Sequence, residues 1–527
     1  MATINQSSGQ GALFELVARG IKDTYFVKDS KESSYPYDAG YTSSTHHLAE
    51  RKTMVPINGV KFGNTFEVEI DAYGDVMTEC AFEIDLPTWF PQLPLYSLSQ
   101  STNGIQEFFN PQVINGQYPI TATTTGNSYG YVNYIGYFLF EKIQFFQDQF
   151  LIQEWSGDGL LAKQVSEGSW NSSFLEQTVG GLVETIESGL PLPPNYSGAG
   201  VRGIQFRATP GHLRIKLPLP GMQCPGDAGF PLVAMAWQTF RIKATLRKLE
   251  DLVVCSDVTL SKPNIYPWNV SQFQYRFSDN SVYQFAPLGL AQIGQPTILV
   301  STVQHYVPPA IQQELRSSVI EIPFRRQFEN NFTFGELDYI PLDKGGTAAV
   351  TRFVDGRHPT ERIFWFFRSQ NALDKNQLDN FYNDFFDQPS TAVLKLPNAT
   401  QPYTMPYGKF YYRMKLVIAG RDREDLKEPY LWDQISPVVK DEKPSGLNIG
   451  EMKWSTGAVF GTTYPAPRQP EGTVNFTTAD RPTLYLELAN ISENPFLAQR
   501  RSEFRVFTEG WDVYDVREGR GRLMFAN

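Results

Sequence analysis

Alternating apolar and polar residues are the clearest pattern in the first part of the chain. Two alternating segments, residues 64–70 and 80–87, lie on either side of a Tyr73-Gly74-Asp75 turn. Their apolar positions are Phe66, Val68, Ile70, Phe82, Ile84 and Leu86. Because successive side chains of a β-strand point to opposite faces, each segment predicts a strand with one buried side, and the pair predicts a β-hairpin. We expect the charged side of this hairpin to face water or a neighbouring subunit.

Strand patterns recur along the rest of the chain and are interrupted by two long tracts. Further strands are predicted over residues 239–246, 298–303, 320–324, 362–367, 410–416 and 504–507. The tracts 92–127 and 157–203 are rich in Ser, Thr, Asn, Gly and Pro and show no sustained period, which predicts exposed insertions.

Two segments have helical patterns instead. Residues 310–316 are polar, helix-favouring residues that follow Pro308-Pro309, and proline is common at the first position of a helix. In residues 371–386 the apolar residues recur at the spacing of one helix face. We therefore predict a short linker helix and a second helix that packs on a sheet.

Length and composition indicate a folded, mainly β protein with more than one compact unit. The chain has 527 residues, 41% of them hydrophobic and 14% aromatic, with 38 Phe, 26 Tyr and 36 Pro. A chain of this length exceeds the size at which a single core keeps growing. Aromatic residues favour strands, and frequent prolines break them, so turns should be numerous.

The charge and the cysteines exclude several function classes. The net charge is −10, and no run of Lys or Arg forms a stripe that could neutralise phosphates, so we predict no direct contact with nucleic acid. Cys80, Cys224 and Cys255 are too few and too scattered for a disulfide framework, which suits a reducing compartment. Residues 1–11 lack the apolar core of a signal peptide, and no apolar run approaches the length of a membrane span.

Several phrases of this sequence are more specific than a strand pattern. The first is Gln469-Pro470-Glu471-Gly472-Thr473-Val474-Asn475-Phe476, which is followed by an alternating strand at 483–488. The others are the opening at 13–20, the two strands and turn at 60–87, His358-Pro359, and the Gly-rich C-terminus at 519–527. These phrases and their order along the chain resemble one family, the major capsid proteins of large eukaryotic (nucleocytoplasmic) DNA viruses.

The resemblance implies an all-β fold of two antiparallel eight-stranded jelly-roll sandwiches in tandem, with long loops and a few short helices. It divides the chain into an N-terminal arm at 1–25, a first jelly roll at 26–309 with long insertions, and a second jelly roll at 316–527. No internal repeat is visible as residue identity, so the duplication is an implication of the resemblance alone.

The resemblance also implies a structural function without catalysis or cofactors. In the family, three chains form a pseudo-hexagonal capsomer, and capsomers tile the icosahedral shell of the virion. The implied partners are other copies of the chain, neighbouring capsomers, minor capsid and penton proteins, and the surface of an internal membrane. The implied site of synthesis is the host cytoplasm. The polar arm Met1 to Gln10 would be the inward-facing element.

Candidate chemical motifs are weaker than these phrases. The glycine pattern at 198–203 lacks the strand before it and the helix after it that dinucleotide binding needs, so a loop is the better interpretation. The histidines have no metal-ligand spacing; they are His46, His47, His212, His305 and His358. His358, before Pro359, is interpreted as a turn residue. We predict no metal, cofactor or catalytic residue.

Two other functions stay open from the sequence. A β-sandwich that binds or cleaves carbohydrate is the alternative function, because aromatic-rich sandwiches also form lectins and glycosidases, and a non-lattice scaffolding protein is the third interpretation. Two carboxylate pairs could converge in space as in glycosidases, namely Asp148 with Glu154 and Asp374 with Asp379, but with 56 acidic residues in the chain a solvated surface is the better interpretation of any pair. The chain has eight Asn-x-Ser/Thr sites, and because it has no export signal the better interpretation is that they are unmodified. The resemblance keeps Asn171 and Asn195 as candidate glycosylation positions, because some capsid proteins of the family are glycosylated on outer loops.

Overall fold

The computed structural model describes residues 47–87, 120–121, 129–166, 212–223, 227–255, 260–270, 273–276, 282–285, 288–335, 338, 348–379, 381, 411–423, 425–427, 431–432, 449–454, 472–479, 482–488 and 502–525. The predicted N-terminal arm, the glycine pattern at 198–203, Asn171 and Asn195 lie outside these residues. Residues Ala49–Asn527 form one compact unit.

The first half of this unit is built from two four-stranded antiparallel sheets. Its strands are β1 (Leu48–Met54), β2 (Thr65–Ile70), β3 (Val76–Asp85), β4 (Ile120–Thr121), β5 (Tyr129–Tyr131), β6 (Phe140–Gln147), β7 (Phe150–Trp155), β8 (His212–Lys216), β9 (Phe240–Leu246), β10 (Val253–Cys255), β11 (Phe273–Arg276), β12 (Val282–Phe285) and β13 (Thr297–Tyr306). Sheet 1 has the order β1-β13-β3-β8, and sheet 2 has the order β2-β9-β6-β7. The remaining strands form two small sheets, β10-β5 and β12-β11-β4.

In its described residues, two α-helices and four short 3₁₀ helices complete the first half. The α-helices are α1 (Ile135–Phe138) and α2 (Gly157–Ser166), and α2 directly follows β7. The 3₁₀ helices are Leu232–Met235, Leu249–Asp251, Pro267–Asn269 and Leu290–Gln292.

The second half begins with a helix and again contains two main sheets. Its elements are α3 (Pro309–Ser317), β14 (Ile320–Phe334), β15 (Ala348–Phe353), β16 (Pro359–Ser369), α4 (Gln370–Asp374), β17 (Tyr411–Ile418), β18 (Arg421–Asp422), β19 (Gly450–Lys453), β20 (Val474–Asn475), β21 (Thr483–Leu488), β22 (Ser502–Arg517) and β23 (Arg520–Leu523). Sheet 3 has the order β14-β22-β16-β19, with β20 beside β16 and β23 beside β22. Sheet 4 has the order β15-β21-β17-β18.

The two halves have the same topology. If the eight main strands of each half are numbered along the chain, one sheet has the order 1-8-3-6 and the other 2-7-4-5, in both halves. This is the double-sheet arrangement of a jelly roll. The predicted fold of two antiparallel eight-stranded jelly-roll sandwiches is therefore confirmed, and the duplication that residue identity does not show is visible in the strand order.

Each sandwich is filled by the alternating apolar residues of its strands. In the first, Phe82 of sheet 1 stacks on Phe140 of sheet 2 with ring centroids 4.7 Å apart. In the second, Phe367 and Phe504 of sheet 3 stack at 4.2 Å. Stacked pairs at these distances stabilise a core beyond the area they bury.

The predicted hairpin is wrong, although its buried faces are right. Strand β2 pairs with β9 in sheet 2, whereas β3 pairs with β13 and β8 in sheet 1. The intervening turn is a corner between the sheets, and Gln304 holds it by accepting a hydrogen bond from Gly74 N–H (2.8 Å) and donating one to the Asp71 carbonyl (2.7 Å). Alternation shows which face of a strand is buried. It does not show which of two facing sheets the strand joins, because both sheets bury an apolar face in the same core.

The two predicted helices have different outcomes. Helix α3 confirms the short helix predicted over residues 310–316. The helix predicted over 371–386 is wrong for residues 375–379, because α4 ends at Asp374 and Asn376 adopts a positive φ of 58°. The Asn376 amide donates to the carbonyls of Glu250 (2.6 Å) and Val253 (2.8 Å), which stabilises this end. Residues 382–386 lie outside the described residues.

No helix in the described part of the chain is both long and apolar enough to cross a bilayer.

Candidate functional site at the junction of the two sandwiches

Sheet 3 is buried on both of its faces, which is unusual for an antiparallel sheet. Ile363, Trp365 and Phe367 of β16 point into the core of the second sandwich. Phe364 and Phe366 point the other way and belong to the core cluster of the first sandwich. The second sandwich therefore presents the outer face of sheet 3 to the first sandwich.

A cluster of aromatic rings forms the apolar centre of this junction. Phe364 stacks on Phe507 of β22 with ring centroids 5.3 Å apart, and Phe366 lies 4.1 Å from Phe381. Full burial of one such side chain contributes about 1.5–3 kcal/mol. The cluster supplies attraction between the halves but little directional preference.

Helix α2 is the element of the first half that packs on this face. A Cβ atom at Gly159 would lie 2.8 Å from Gln327 Nε2 and 3.0 Å from Phe507 Cε1, so a side chain here would displace the Gln327 amide and press on the Phe507 ring. The Gly159 N–H donates to Ser156 Oγ at 3.0 Å, and Gln327 Nε2 donates to the Gly159 carbonyl at 3.2 Å. The start of α2 is thus tied to the second sandwich.

Asp158, on the first turn of α2, joins charges from both halves. It is fully buried and accepts hydrogen bonds from Arg368 (3.0 Å) and Arg505 (2.8 Å) of the second half and from Arg247 of the first half. Burial opposes ionisation of Asp158, but the guanidinium groups of Arg505, Arg368 and Arg247 outweigh it and hold the pKa well below its usual value. Asp158 is therefore an anion shared by three cations.

Glu509 of β22 forms a second buried cluster. It accepts hydrogen bonds from Lys163 of α2 and from Arg362 of β16, and both its own side chain and that of Arg362 are 1% exposed. Burial opposes its ionisation, and Arg362, Lys163 and Arg325 reverse that effect, so the pKa of Glu509 is lowered. Arg325 in turn pairs with buried Glu361 at 2.8 Å.

These ion pairs specify the packing more than they strengthen it. Desolvating a charge costs several kcal/mol, so a buried pair roughly breaks even against apolar packing, whereas a buried charge without its partner costs about 3–5 kcal/mol. Any other placement of α2 on sheet 3 would separate Asp158 and Lys163 from their partners. The junction therefore favours one relative orientation of the two sandwiches.

The free edge of sheet 3 is covered at one point by the first half. Strand β14 ends the sheet, and Gln223 pairs with its residue Arg325 as a neighbouring strand would. The Gln223 side chain accepts from Arg325 N–H at 2.7 Å and donates to the Arg325 carbonyl at 2.7 Å. Gln153 of β7 donates to the same carbonyl at 3.3 Å. An exposed strand edge invites pairing with other chains, and at Arg325 the edge is satisfied within the chain.

Two phrases that carried the sequence resemblance meet in space at a corner of the second sandwich. Pro359 pairs with Asn475, Phe476 N–H donates to the His358 carbonyl (3.1 Å), and His358 N–H donates to Thr477 Oγ1 (2.8 Å). A Cβ atom at Gly356 would lie 2.4 Å from the Phe476 ring, which explains the glycine.

His358 lies in this corner, between β15 and β16, and is buried. Its φ is 64°, and its Nε2 lies 3.6 Å from Asp512 Oδ2. Burial lowers the pKa of His358, with Arg326 and Arg357 acting in the same direction and Asp512 against it.

The structure does not bring the other sequence candidates together into a site. Asp148 accepts from Thr239 N–H (2.9 Å), and Glu154 pairs with Lys142 (2.9 Å). Asp374 accepts from Gln370 (2.9 Å), and Asp379 accepts from Asn133 (2.9 Å). Among the residues that the structure describes, no group of three or more His, Cys, Asp or Glu is placed to hold a metal ion.

The junction charges were not predicted from the sequence. Arg362 and Arg368 flank an apolar run in β16, which resembles an ordinary strand with polar ends. Asp158 follows Ser156-Gly157 in a segment interpreted as loop. The available signal was the outward position of Phe364 and Phe366, since apolar residues on both faces of a strand indicate a sheet covered on both sides.

Comparisons with known proteins identify capsid proteins. No protein-family model matches the chain. A segment of 115 residues is 27% identical to the major capsid protein of Phaeocystis pouchetii virus and covers 21% of this chain and 20% of that protein. The match thus spans about a fifth of the length of this curated relative.

Solved structures extend the similarity to nearly the whole chain. PBCV-1 VP54, in a crystal structure fitted into a reconstruction of the virophage Sputnik, has a TM-score of 0.61 and 13% identity, and the match covers 93% of this chain and 100% of that one. The Faustovirus major capsid protein has a TM-score of 0.53 and 12% identity, with 94% of each chain covered. The resemblance to double jelly-roll major capsid proteins is confirmed at the level of the fold.

Proposed function

We propose that this chain is a major capsid protein that self-assembles into a trimeric, pseudo-hexagonal capsomer of an icosahedral virion shell. The observation that carries the proposal is the pair of sandwiches with one strand order, joined by a buried junction that favours a single orientation. Three such chains supply six similar sandwiches, and a ring of six has the near-hexagonal outline that tiles a flat facet. The Phaeocystis pouchetii virus match and the shared fold support this function.

The function rests on interfaces and requires no bond chemistry. A trimer that is stable before it joins a lattice needs a large contact, commonly above about 2,000 Å². Contacts between capsomers can be weaker, because each capsomer is held by several neighbours at once. We propose no catalytic residue, metal or cofactor, and no direct contact with nucleic acid.

The remaining assignments follow from the capsid proposal. We place the division between the jelly rolls at α3, with the first at 26–309, the second at 316–527 and an arm at 1–25. The capsomer would be made in the host cytoplasm and located in the virion shell. There it would contact neighbouring capsomers, minor capsid and penton proteins, and the surface of an internal membrane. Asn171 and Asn195 stay candidate glycosylation positions.

The mass and shape of the purified protein test the proposal. Native mass spectrometry should give three chains of 59.7 kDa, and negative-stain images should show hexagonal particles. A monomer that binds or hydrolyses glycans in a glycan panel would instead establish the carbohydrate alternative. A trimer that is absent from purified virions would favour a scaffolding protein.

A further inference from the structure

The edge of sheet 3 is unpaired on one side of the point that Gln223 covers. The N–H and the carbonyl of Arg325 both bond to side chains of the first half, so they point away from β22. Alternate residues of an antiparallel strand direct their backbone groups to the same side, so the Glu321 N–H and the carbonyls of Glu321 and Pro323 also point away from β22. These three groups have no hydrogen-bond partner among the residues that the structure describes. The start of β14 is therefore a strand edge open to pairing.

A cavity of about 260 Å³ lies beside this edge. Its walls come from the start of β14, from α3, and from the chain around Gly221 and Gly229 in the first half. Most of the side chains that line it are apolar, namely Val76, Pro231, Leu315, Ile320, Ile322 and Pro323. An apolar cavity of about 150 Å³ already holds a benzene ring, so this one has room for a large apolar side chain.

Trp511 of β22 adds a hydrogen-bond donor to the lining of the cavity. Its side chain is buried, and the Arg325 guanidinium lies 4.4 Å from the ring centroid. The Trp511 Nε1–H has no acceptor among the described residues, which is uncommon for a buried donor. A peptide carbonyl close to the ring would supply that acceptor.

The charged side chains around the cavity disfavour an acidic ligand. Asp227 and Glu321 line its more exposed part. Arg325 is buried and already paired with Glu361 at 2.8 Å. Arg517 lies 3.2 Å from Glu321, but these side chains are 43% and 54% exposed, and such pairs contribute little. The cavity therefore favours a neutral or basic segment over an acidic one.

We propose that the start of β14 and this cavity bind an extended, non-acidic peptide segment of a partner protein, which pairs with Glu321 and Pro323 as an added strand and places one apolar side chain in the cavity. In strand addition the backbone hydrogen bonds supply affinity, and a pocket for alternate side chains supplies selectivity. A small apolar molecule would fill the cavity but leave the edge unpaired. The inference rests on this surface alone and does not require the proposed capsomer.

Binding of short synthetic peptides to the full-length protein tests the cavity. The probes are fluorescein-labelled Lys-Thr-Val-Xaa-Val-Thr-Lys-amides with leucine, phenylalanine or alanine at Xaa, measured by fluorescence anisotropy. The leucine or phenylalanine peptide should bind saturably, and alanine should weaken binding by about tenfold or more, because the apolar contact in the cavity is lost. Ile322→Lys, which brings a charge to the cavity wall, should weaken binding to a similar degree. Val319→Lys is the matched control, because Val319 is exposed, precedes β14 and does not line the cavity.

Methylation of the peptide backbone tests the strand edge. One peptide is N-methylated at its second, fourth and sixth residues and another at its third and fifth. Alternate residues of a strand donate to opposite sides, so one of the two peptides should lose binding and the other should keep it. A site that takes up only an apolar group would not distinguish them.

Each outcome decides for or against the peptide site. If none of the peptides binds, or if Ile322→Lys and Val319→Lys bind them equally well, the surface is not a peptide site. Equal binding of the two methylated peptides overturns the added strand even if the alanine peptide binds weakly. Thermal melts show whether each variant is folded, and the comparison among peptides on wild-type protein does not depend on any variant. The oligomeric state is measured separately, so failure here leaves the capsid proposal in place.

Discussion

Replacement of Asp158 by asparagine should destabilise the protein far more than its single lost charge suggests. Arg247, Arg368 and Arg505 converge on this carboxylate, and the side chain of Arg368 is fully buried. A neutral amide at this position would leave these guanidinium groups without their shared anion in a site closed to water. Breaking a buried pair by removal of one partner costs about 3–5 kcal/mol.

The expected size of the effect can be converted to a melting temperature. An unfolding entropy of about 2.1 cal/mol/K per residue, taken over Ala49–Asn527, gives roughly 1 kcal/mol per degree. Asp158→Asn should therefore lower the Tm by about 3–5 °C in differential scanning calorimetry. The variant should also give fewer closed trimers in native mass spectrometry, because the orientation of the sandwiches is less restricted.

Asp251→Asn is the matched control for this experiment. Asp251 pairs with Lys262 at 2.7 Å, but the two side chains are 43% and 33% exposed. An exposed pair of this kind contributes about 0–1 kcal/mol, so the Tm should change by about 1 °C or less. Equal melting temperatures for Asp158→Asn and Asp251→Asn would refute the reasoning that the buried cluster fixes the junction.

Three further predictions concern the same junction. The lowered pKa values of Asp158 and Glu509 mean that their stabilising effect is present above the unfolded pKa of about 4 and is lost as the pH falls below it. The Tm of wild-type protein should therefore fall more steeply than the Tm of Asp158→Asn between about pH 5 and 3. Parallel curves of Tm against pH would contradict this prediction. Gly159→Leu should prevent α2 from reaching Phe507 and lower the Tm by several degrees, whereas Gly289→Leu, where the nearest heavy atom to a Cβ is 3.6 Å away, should change it little. Gln223→Leu removes both hydrogen bonds that Gln223 makes at the β14 edge, which should lower the free energy of unfolding by about 1–3 kcal/mol. The exposed edge should also increase aggregation, measured by light scattering. Unchanged scattering would show that the edge is protected by other contacts.

The sequence predicts the strands better than their partners. Alternation at Phe66, Val68 and Ile70 identifies the buried face of β2, because burial of that face is a local property of the strand. The partners of a strand depend on which sheet it joins. The buried faces of β2 and β3 are both apolar, so either face would fit either sheet. The error at residues 375–379 has a similar origin, since hydrogen bonds from Asn376 to a distant segment end the helix that the local pattern favours.

The junction was harder to predict than either sandwich. Its charged residues come from α2, β16, β22 and the residue after β9, so no segment of sequence contains the cluster. Each residue by itself has a common interpretation, such as Arg368 at the end of a strand or Asp158 at the start of a helix. Phe364 and Phe366, on the face of β16 opposite Trp365, indicate locally that a second body covers the sheet. The two-sandwich fold was predicted from the sequence phrases that resemble capsid proteins, because a family resemblance implies the fold of the whole chain.

In the proposed capsomer the two sandwiches of each chain form part of a ring, and a junction with buried charges suits that arrangement. If the angle between the sandwiches of one chain departs from one sixth of a turn, every contact between chains must bend by the same amount in the opposite direction. The rings of Phe364, Phe366 and Phe507 would tolerate small rotations, because dispersion and burial depend only weakly on direction. The ion pairs around them do not, since a rotation that separates Asp158 from Arg368 breaks an ion pair in which both side chains are fully buried. The apolar centre thus supplies the attraction between the sandwiches, and the buried charges set the angle between them, on which closure of the proposed trimer would depend.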